Sequence, residues 1–204
     1  MSFPNKKNKV FAVSKTNKAK ATLASSFFKN QYMAYEMAYK TAGDLLVKSA
    51  IDDNSLFMDI SIYPIAFLYR QFVELYIKDI LLKFDDKYKT DSNLNKSHDL
   101  YALWSSLKDI VVLDNLAFPK ELDNMPFEDV ISSSESYIIE LSKMDNMSMA
   151  FRYPDNKTHN QNFFEIETPV NLENLKDRVN EIANILCIIE ESLINQKTFE
   201  EEII

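Results

Sequence analysis

The chain has 204 residues, 46% apolar and 26% charged, with 14 Phe and 10 Tyr, enough to fill one hydrophobic core without disulfides or a structural metal. Its single glycine, Gly43, against an average usage of about 14, excludes a many-stranded β fold built on tight hairpins and the phosphate-cradling loops of P-loop and Rossmann proteins. The net charge of −8 is uneven: Lys6, Lys7, Lys9, Lys15, Lys18 and Lys20 precede any acid and leave −14 on the rest, a balance that opposes broad nonspecific nucleic-acid binding but permits a local basic site.

Residues 1–16 read as a flexible lysine-rich tail, 17–198 as one helical domain and 199–204 as a frayed acidic tail. From Asn17 to Ala50 apolar residues recur at steps of three and four, through Leu23, Phe27, Tyr32, Tyr35, Ala38, Ala42 and Leu46, which predicts a first helix. Gly43 lies inside it, where it allows close packing or a bend. A second helix is predicted over Tyr63–Phe84, with Pro64 in its first turn, where a missing N–H does no harm. It is apolar nearly all round and belongs at the centre of the fold. Residues 85–96 read as a polar loop, and Ser97 as the N-cap of a third helix through Val112. A fourth is predicted over Pro126–Met144, followed by an irregular stretch from Asp145 to Val170, with short strand pieces near 163–168. Asn171 caps the last helix, whose Leu172, Leu175, Val179, Ile182, Leu186, Ile189 and Leu193 alternate steps of three and four. That stripe suits a bundle or a helix–helix dimer seam. The fold class is therefore all-α, an antiparallel bundle of four to five long helices. Cys187 stands among Ile185, Leu186, Ile188 and Ile189 and reads as a buried structural thiol. With one cysteine and no apolar leader or span, the expectation is a cytoplasmic protein without a disulfide framework, membrane contact, metal site or cofactor.

Two histidines and three arginines make each placement informative. Arg70, Glu74 and Lys78 stand at i, i+4 and i+8 on the second helix. They form either a structural ion-pair ladder or, if enclosed, a site whose arginine takes a carboxylate or an anionic ligand. His98 lies beside a helix N-terminus, where the dipole favours the neutral imidazole. In MAFRYPDNKTH, Arg152 and His159 can stabilise phosphate charge and move a proton, respectively, with Tyr153 beside them. Pro154 keeps the pair off one undisturbed helix.

Taken together, YPIAFLYRQFVELYIKDILL (63–82), SHDLYALWSSL (97–107), MAFRYPDNK (149–157) and VNLENLKDRV (170–179) resemble a group of HEPN-like bacterial proteins. The resemblance spans about residues 60–195. It implies an all-α bundle, often a homodimer, serving in phage defence or in a toxin–antitoxin system. Ribonuclease members of the group carry an R-x(4–6)-H motif that promotes attack of the RNA 2′-hydroxyl on the adjacent phosphate without a metal. Arg152 and His159 match that motif at its longest spacing and would be the catalytic pair, Arg152 as phosphate stabiliser and His159 as acid/base. Pro154 inside the motif departs from the family pattern, in which the motif begins a helix. Two functions follow. One is a metal-independent RNA endonuclease effector. The other is a noncatalytic module binding a nucleotide, nucleic acid, or protein partner such as an antitoxin through Arg70, Glu74, His98, Arg152 and Tyr153.

Overall fold

The structure, a computed structural model, describes residues 21–23, 27, 28, 30–53, 57–88, 96–113, 121, 122, 124–145, 147–156, 161–164 and 166–203. The expected lysine-rich tail and His159 lie outside these. The chain divides into two compact units, Met1–Gln31 and Tyr32–Ile204. In the first, the Phe27 and Phe28 rings meet edge to face at 5.1 Å. The second contains the core and the site described below.

The described residues are mostly helical. Helix α1 runs over Gln31–Asp53; the start expected at Asn17 lies outside the described residues. Leu23 and Phe27, which are described, are exposed. Helix α2, Phe57–Lys83, starts ahead of Tyr63 and holds Pro64 in its interior instead of its first turn. Phe57 and Met58 pack against the core, and their burial offsets a proline cost of about 3 kcal/mol. The carbonyl that Pro64 cannot serve belongs to Ile60, an exposed residue. Where α1 meets α2, Gly43 allows contact that no side chain could: a Cβ there would lie 2.6 Å from Cε1 of the Tyr69 ring. The Tyr69 hydroxyl donates to Asp44 Oδ1 at 2.7 Å and pins that ring in place.

A one-turn helix α3, Asp85–Tyr88, opens the expected polar loop. Helix α4 covers Leu100–Leu113. Its N-cap is Asp99, not Ser97: Asp99 Oδ1 accepts from the Ala102 N–H at 3.1 Å. Ser97 Oγ accepts two residues earlier, from the Asp99 N–H. Two-residue strands β1 (Glu121–Leu122) and β2 (Met125–Pro126) pair antiparallel around Asn124, whose φ of 64° suits asparagine, and lead into α5, Phe127–Met144. Strands β3 (Asp155–Asn156) and β4 (Gln161–Asn162) form a second small pair. The strand pieces expected at 163–168 are not found among the described residues there; the pairing falls just before them. Helix α6, Leu172–Ile203, is capped by Asn171 Oδ1 accepting from the Asn174 N–H at 2.9 Å. It continues through the segment expected to fray.

The core centres on α2. Ile65, Tyr69, Val73, Ile77 and Ile80 pack with Leu103, Trp104 and Leu107 of α4, Ile138 of α5, and Val179, Ile182, Leu186 and Ile189 of α6. The α6 stripe is thus buried within one chain and leaves no free seam for a second copy at that face. Cys187 is exposed, contrary to expectation. It stands one position past Leu186 and so falls off the buried stripe, within 3.7 Å of Glu191. Among the described residues no helix is long and apolar enough to cross a membrane.

Candidate functional site

On α2, Phe67, Arg70, Gln71, Glu74 and Lys78 fall on one face by the three-and-four step of the helix. The structure folds two other segments onto that face: the residue before the α4 cap and the turn after α5. Arg70 is fully buried, at 0% exposure, and its guanidinium holds all three together. Nε donates to the carbonyl of Asp145 at 2.8 Å, and NH1 to Glu74 Oε2 at 2.6 Å. NH2 donates to the carbonyl of His98. The fixed fork of arginine suits such three-way bonding, which an ammonium could not match.

Glu74 is 1% exposed. Its second oxygen, Oε1, accepts from Lys78 Nζ at 2.8 Å and faces His98 Nδ1 at 2.8 Å. Burial pushes the Glu74 carboxyl up, but the hydrogen bonds and charges of Lys78 and Arg70 outweigh it and hold the group below the usual carboxylate range. An ionised carboxylate only accepts, so in the neutral imidazole Nδ1 carries the proton and Nε2 the lone pair. The His98 side chain is 50% exposed. Nε2 has no partner among the described residues.

The turn after α5 is built on Asp145, whose Oδ1 accepts from the N–H groups of Met149 and Ala150 at 2.6 and 2.9 Å. Ser148, at φ 57°, is buried and receives a hydrogen bond from Gln71 Nε2 at 2.6 Å. The Ser148 carbonyl accepts from Arg152 Nε. Arg152 itself is exposed. Its guanidinium carbon lies 5.7 Å from the centre of the Phe67 ring and 5.9 Å from that of Tyr153, within cation–π range. Phe151 stacks on Phe164 at 5.5 Å, and Phe164 meets Tyr63 at 6.2 Å. Tyr63 and Tyr153 are 47% and 43% exposed. The surface beside this Arg70 latch, the bonds that tie α2 to the His98 and Asp145 carbonyls, is therefore cationic and aromatic at once.

Of the residues singled out from sequence, Arg70, Glu74 and His98 come into direct contact. Arg152 stands over Phe67, two turns of α2 from Glu74, with Tyr153 beside it, and His159 lies outside the described residues. Arg70 and Glu74 are enclosed by protein partners, so they support the surface groups instead of meeting a ligand themselves. Asp145, Gln71, Ser148 and Phe67 carry the site as well and had no motif to mark them. The one local signal was an Asp at a helix end, where its side chain commonly caps a turn. Among the described residues no three His, Cys, Asp or Glu side chains are grouped to hold a metal ion. Two cavities are present besides: a groove of about 730 Å³ lined by Asp44, Lys48 and Asp177, and one of about 280 Å³ lined by Tyr137, Arg178 and, at the edge of the site, Phe151. No protein-family model, curated protein or solved structure matches the chain.

Proposed function

We propose that the protein is a HEPN-like effector that grips single-stranded RNA on the exposed surface around Arg152, Tyr153 and Tyr63 and cleaves it without a metal ion, in phage defence or a toxin–antitoxin pair. One observation carries this reading. The Asp145–Arg152 turn, fastened to the buried Arg70, holds an exposed arginine on the Phe67 and Tyr153 rings. A guanidinium so placed can take two phosphate oxygens, while Tyr63 and Tyr153 offer faces on which unpaired bases stack. The body of the chain is acidic, so affinity comes from this local surface. Arg152 is the phosphate stabiliser and His159 carries the proton-transfer role that the resemblance implies. A homodimer belongs to the same proposal, its seam on a surface other than the α6 stripe.

The test uses the purified full chain with end-labelled single-stranded RNA in excess EDTA. Cleavage is expected to persist and to leave 2′,3′-cyclic phosphate and 5′-hydroxyl ends. Arg152→Lys should lower the rate about 10²- to 10³-fold, as loss of a transition-state donor does, and His159→Ala should abolish cleavage with unchanged thermal unfolding. Activity lost on chelation, or untouched by Arg152→Lys, would overturn the assignment. Binding without cleavage is the second reading. The aromatic platform under Arg152 favours it, since stacking needs no chemistry, and RNA held by a chain that never cuts it would decide for it.

A further inference from the structure

The Glu74–His98 pair does something that structural need does not explain. Glu74 Oε1 is already served by Lys78 at 2.8 Å, and Oε2 by Arg70 at 2.6 Å, so the carboxylate has charged partners without the imidazole. The latch uses the main-chain carbonyl of His98, which any residue at that position would supply. The ring is half-exposed and adds little packing. What remains is a histidine whose Nδ1 sits on a fixed, ionised carboxylate and whose opposite nitrogen has no partner among the described residues. This is how a general base is oriented: the carboxylate selects the tautomer, fixes the ring plane and stabilises the imidazolium that forms.

We propose that His98 Nε2 is the base that takes the proton from the RNA 2′-hydroxyl, with Glu74 as its positioning residue. This rests on the reading of the site as an RNA-cleaving one. The oxygen so freed attacks the adjacent phosphorus, and the new O2′–P bond closes the cyclic phosphate. The P–O5′ bond breaks, the departing oxygen takes a proton from the general acid, the role left to His159 in the proposed function, and both histidines regain their starting states by proton exchange with solvent. The spacing fits. Arg152 stands on Phe67 and His98 on Glu74, seven residues apart on one face of α2, or about 10 Å along the axis. A chain of contacts from Nε2 to O2′, from O2′ to phosphorus, and from a phosphate oxygen to a guanidinium covers about 8 to 10 Å. Glu74 meets the ring directly; Lys78 and Arg70 lie behind it on α2, Asp145 lies against Arg70 from the turn after α5, and Asp99 is the next residue on the ring's own segment.

His98→Gln keeps the carbonyl for Arg70 and an N–H for Glu74 but removes the basic nitrogen. The experiment measures kcat/KM against pH on a single-stranded RNA oligonucleotide, with anisotropy for binding. The expected result is a loss of about 10²- to 10⁴-fold in kcat, binding changed less than threefold, and disappearance of the acidic limb of the pH profile. Free imidazole should restore part of the rate to His98→Ala. Glu74→Gln should shift the acidic limb to lower pH, which a purely structural carboxylate would not do. If the wild type cleaves and His98→Gln cleaves equally with the same profile, the base assignment falls while the RNA reading stands. A wild type that neither binds nor cleaves the oligonucleotide overturns both.

Discussion

Replacing Arg70 by methionine keeps most of the aliphatic stem and removes the fork. The carbonyls of Asp145 and His98 then lose a charged donor in the interior, and Glu74 retains only Lys78 and the His98 ring. Hydrogen bonds to charged groups are worth about 1.5–3 kcal/mol net, and breaking a buried pair from one side costs about 3–5 kcal/mol. Because Lys78 still neutralises Glu74, the expected loss is near the middle, about 4 kcal/mol. For a domain of this size that lowers the melting temperature by about 10 °C. Glu74→Leu alone should cost a comparable amount by stranding Arg70 and Lys78. The double variant should cost less than the sum by about 1–3 kcal/mol, since the two residues share one network. Urea unfolding followed by circular dichroism at pH 7 measures all three. Strict additivity, or an Arg70→Met variant within 1 kcal/mol of wild type, would refute the latch.

Gly43→Ala sets two effects of opposite sign against each other. Alanine gains about 1 kcal/mol in helix preference, but its Cβ would meet a Tyr69 ring pinned through Asp44, and overpacking costs about 1–3 kcal/mol. A net loss of about 1 kcal/mol is expected in the same unfolding assay, and a more stable variant would show that the ring yields. Glu36 gives the pH dependence. Burial, with Asp79 and then Glu190 adding to it against Lys83, raises its carboxyl to about 7. The folded state therefore holds the proton more tightly than the unfolded chain. That stability is fully present below about 4.5 and is lost as the pH rises through about 7, amounting to about 3 kcal/mol once ionised. Glu36→Gln should thus match wild type at pH 5 and exceed it at pH 8, in thermal melts at both values; a variant less stable at pH 8 would contradict the sign.

Much of the helical layout was legible because it depends on local chemistry. One glycine disfavours hairpins, Asn171 offers a side-chain acceptor before an apolar stripe, and the near-uniform apolarity of α2 marks it as central. The start of α4 was displaced by two residues because Ser97 and Asp99 are both competent caps, and only the tertiary position of the chain chooses between them. Periodicity on α6 says which face is apolar but not whether the surface covering it comes from the same chain. Cys187 shows the converse: apolar neighbours in sequence do not bury a residue that falls off the stripe. The site was half visible. Arg70, Glu74 and His98 stand out as charged or titratable groups, yet two of Arg70's acceptors are main-chain carbonyls, which every residue has and no sequence marks. Asp145 likewise acts through geometry.

The Arg70–Asp145 bond joins residues 75 apart in sequence. Closing a loop of that length costs about 4 kcal/mol in chain entropy, so helices α4 and α5 must be assembled before the bond can repay it. The latch is therefore expected among the last contacts made in folding and the first broken in unfolding, which φ-value analysis of Arg70→Met would check by a value near zero. Contacts absent from the transition state govern the rate of escape from the native state more than the rate of arrival. Arg70 is then a kinetic brake as well as a thermodynamic one. Its removal would shorten the life of the folded chain while leaving the speed of refolding nearly as it was, and the exposed Arg152 surface would be the first part to come loose.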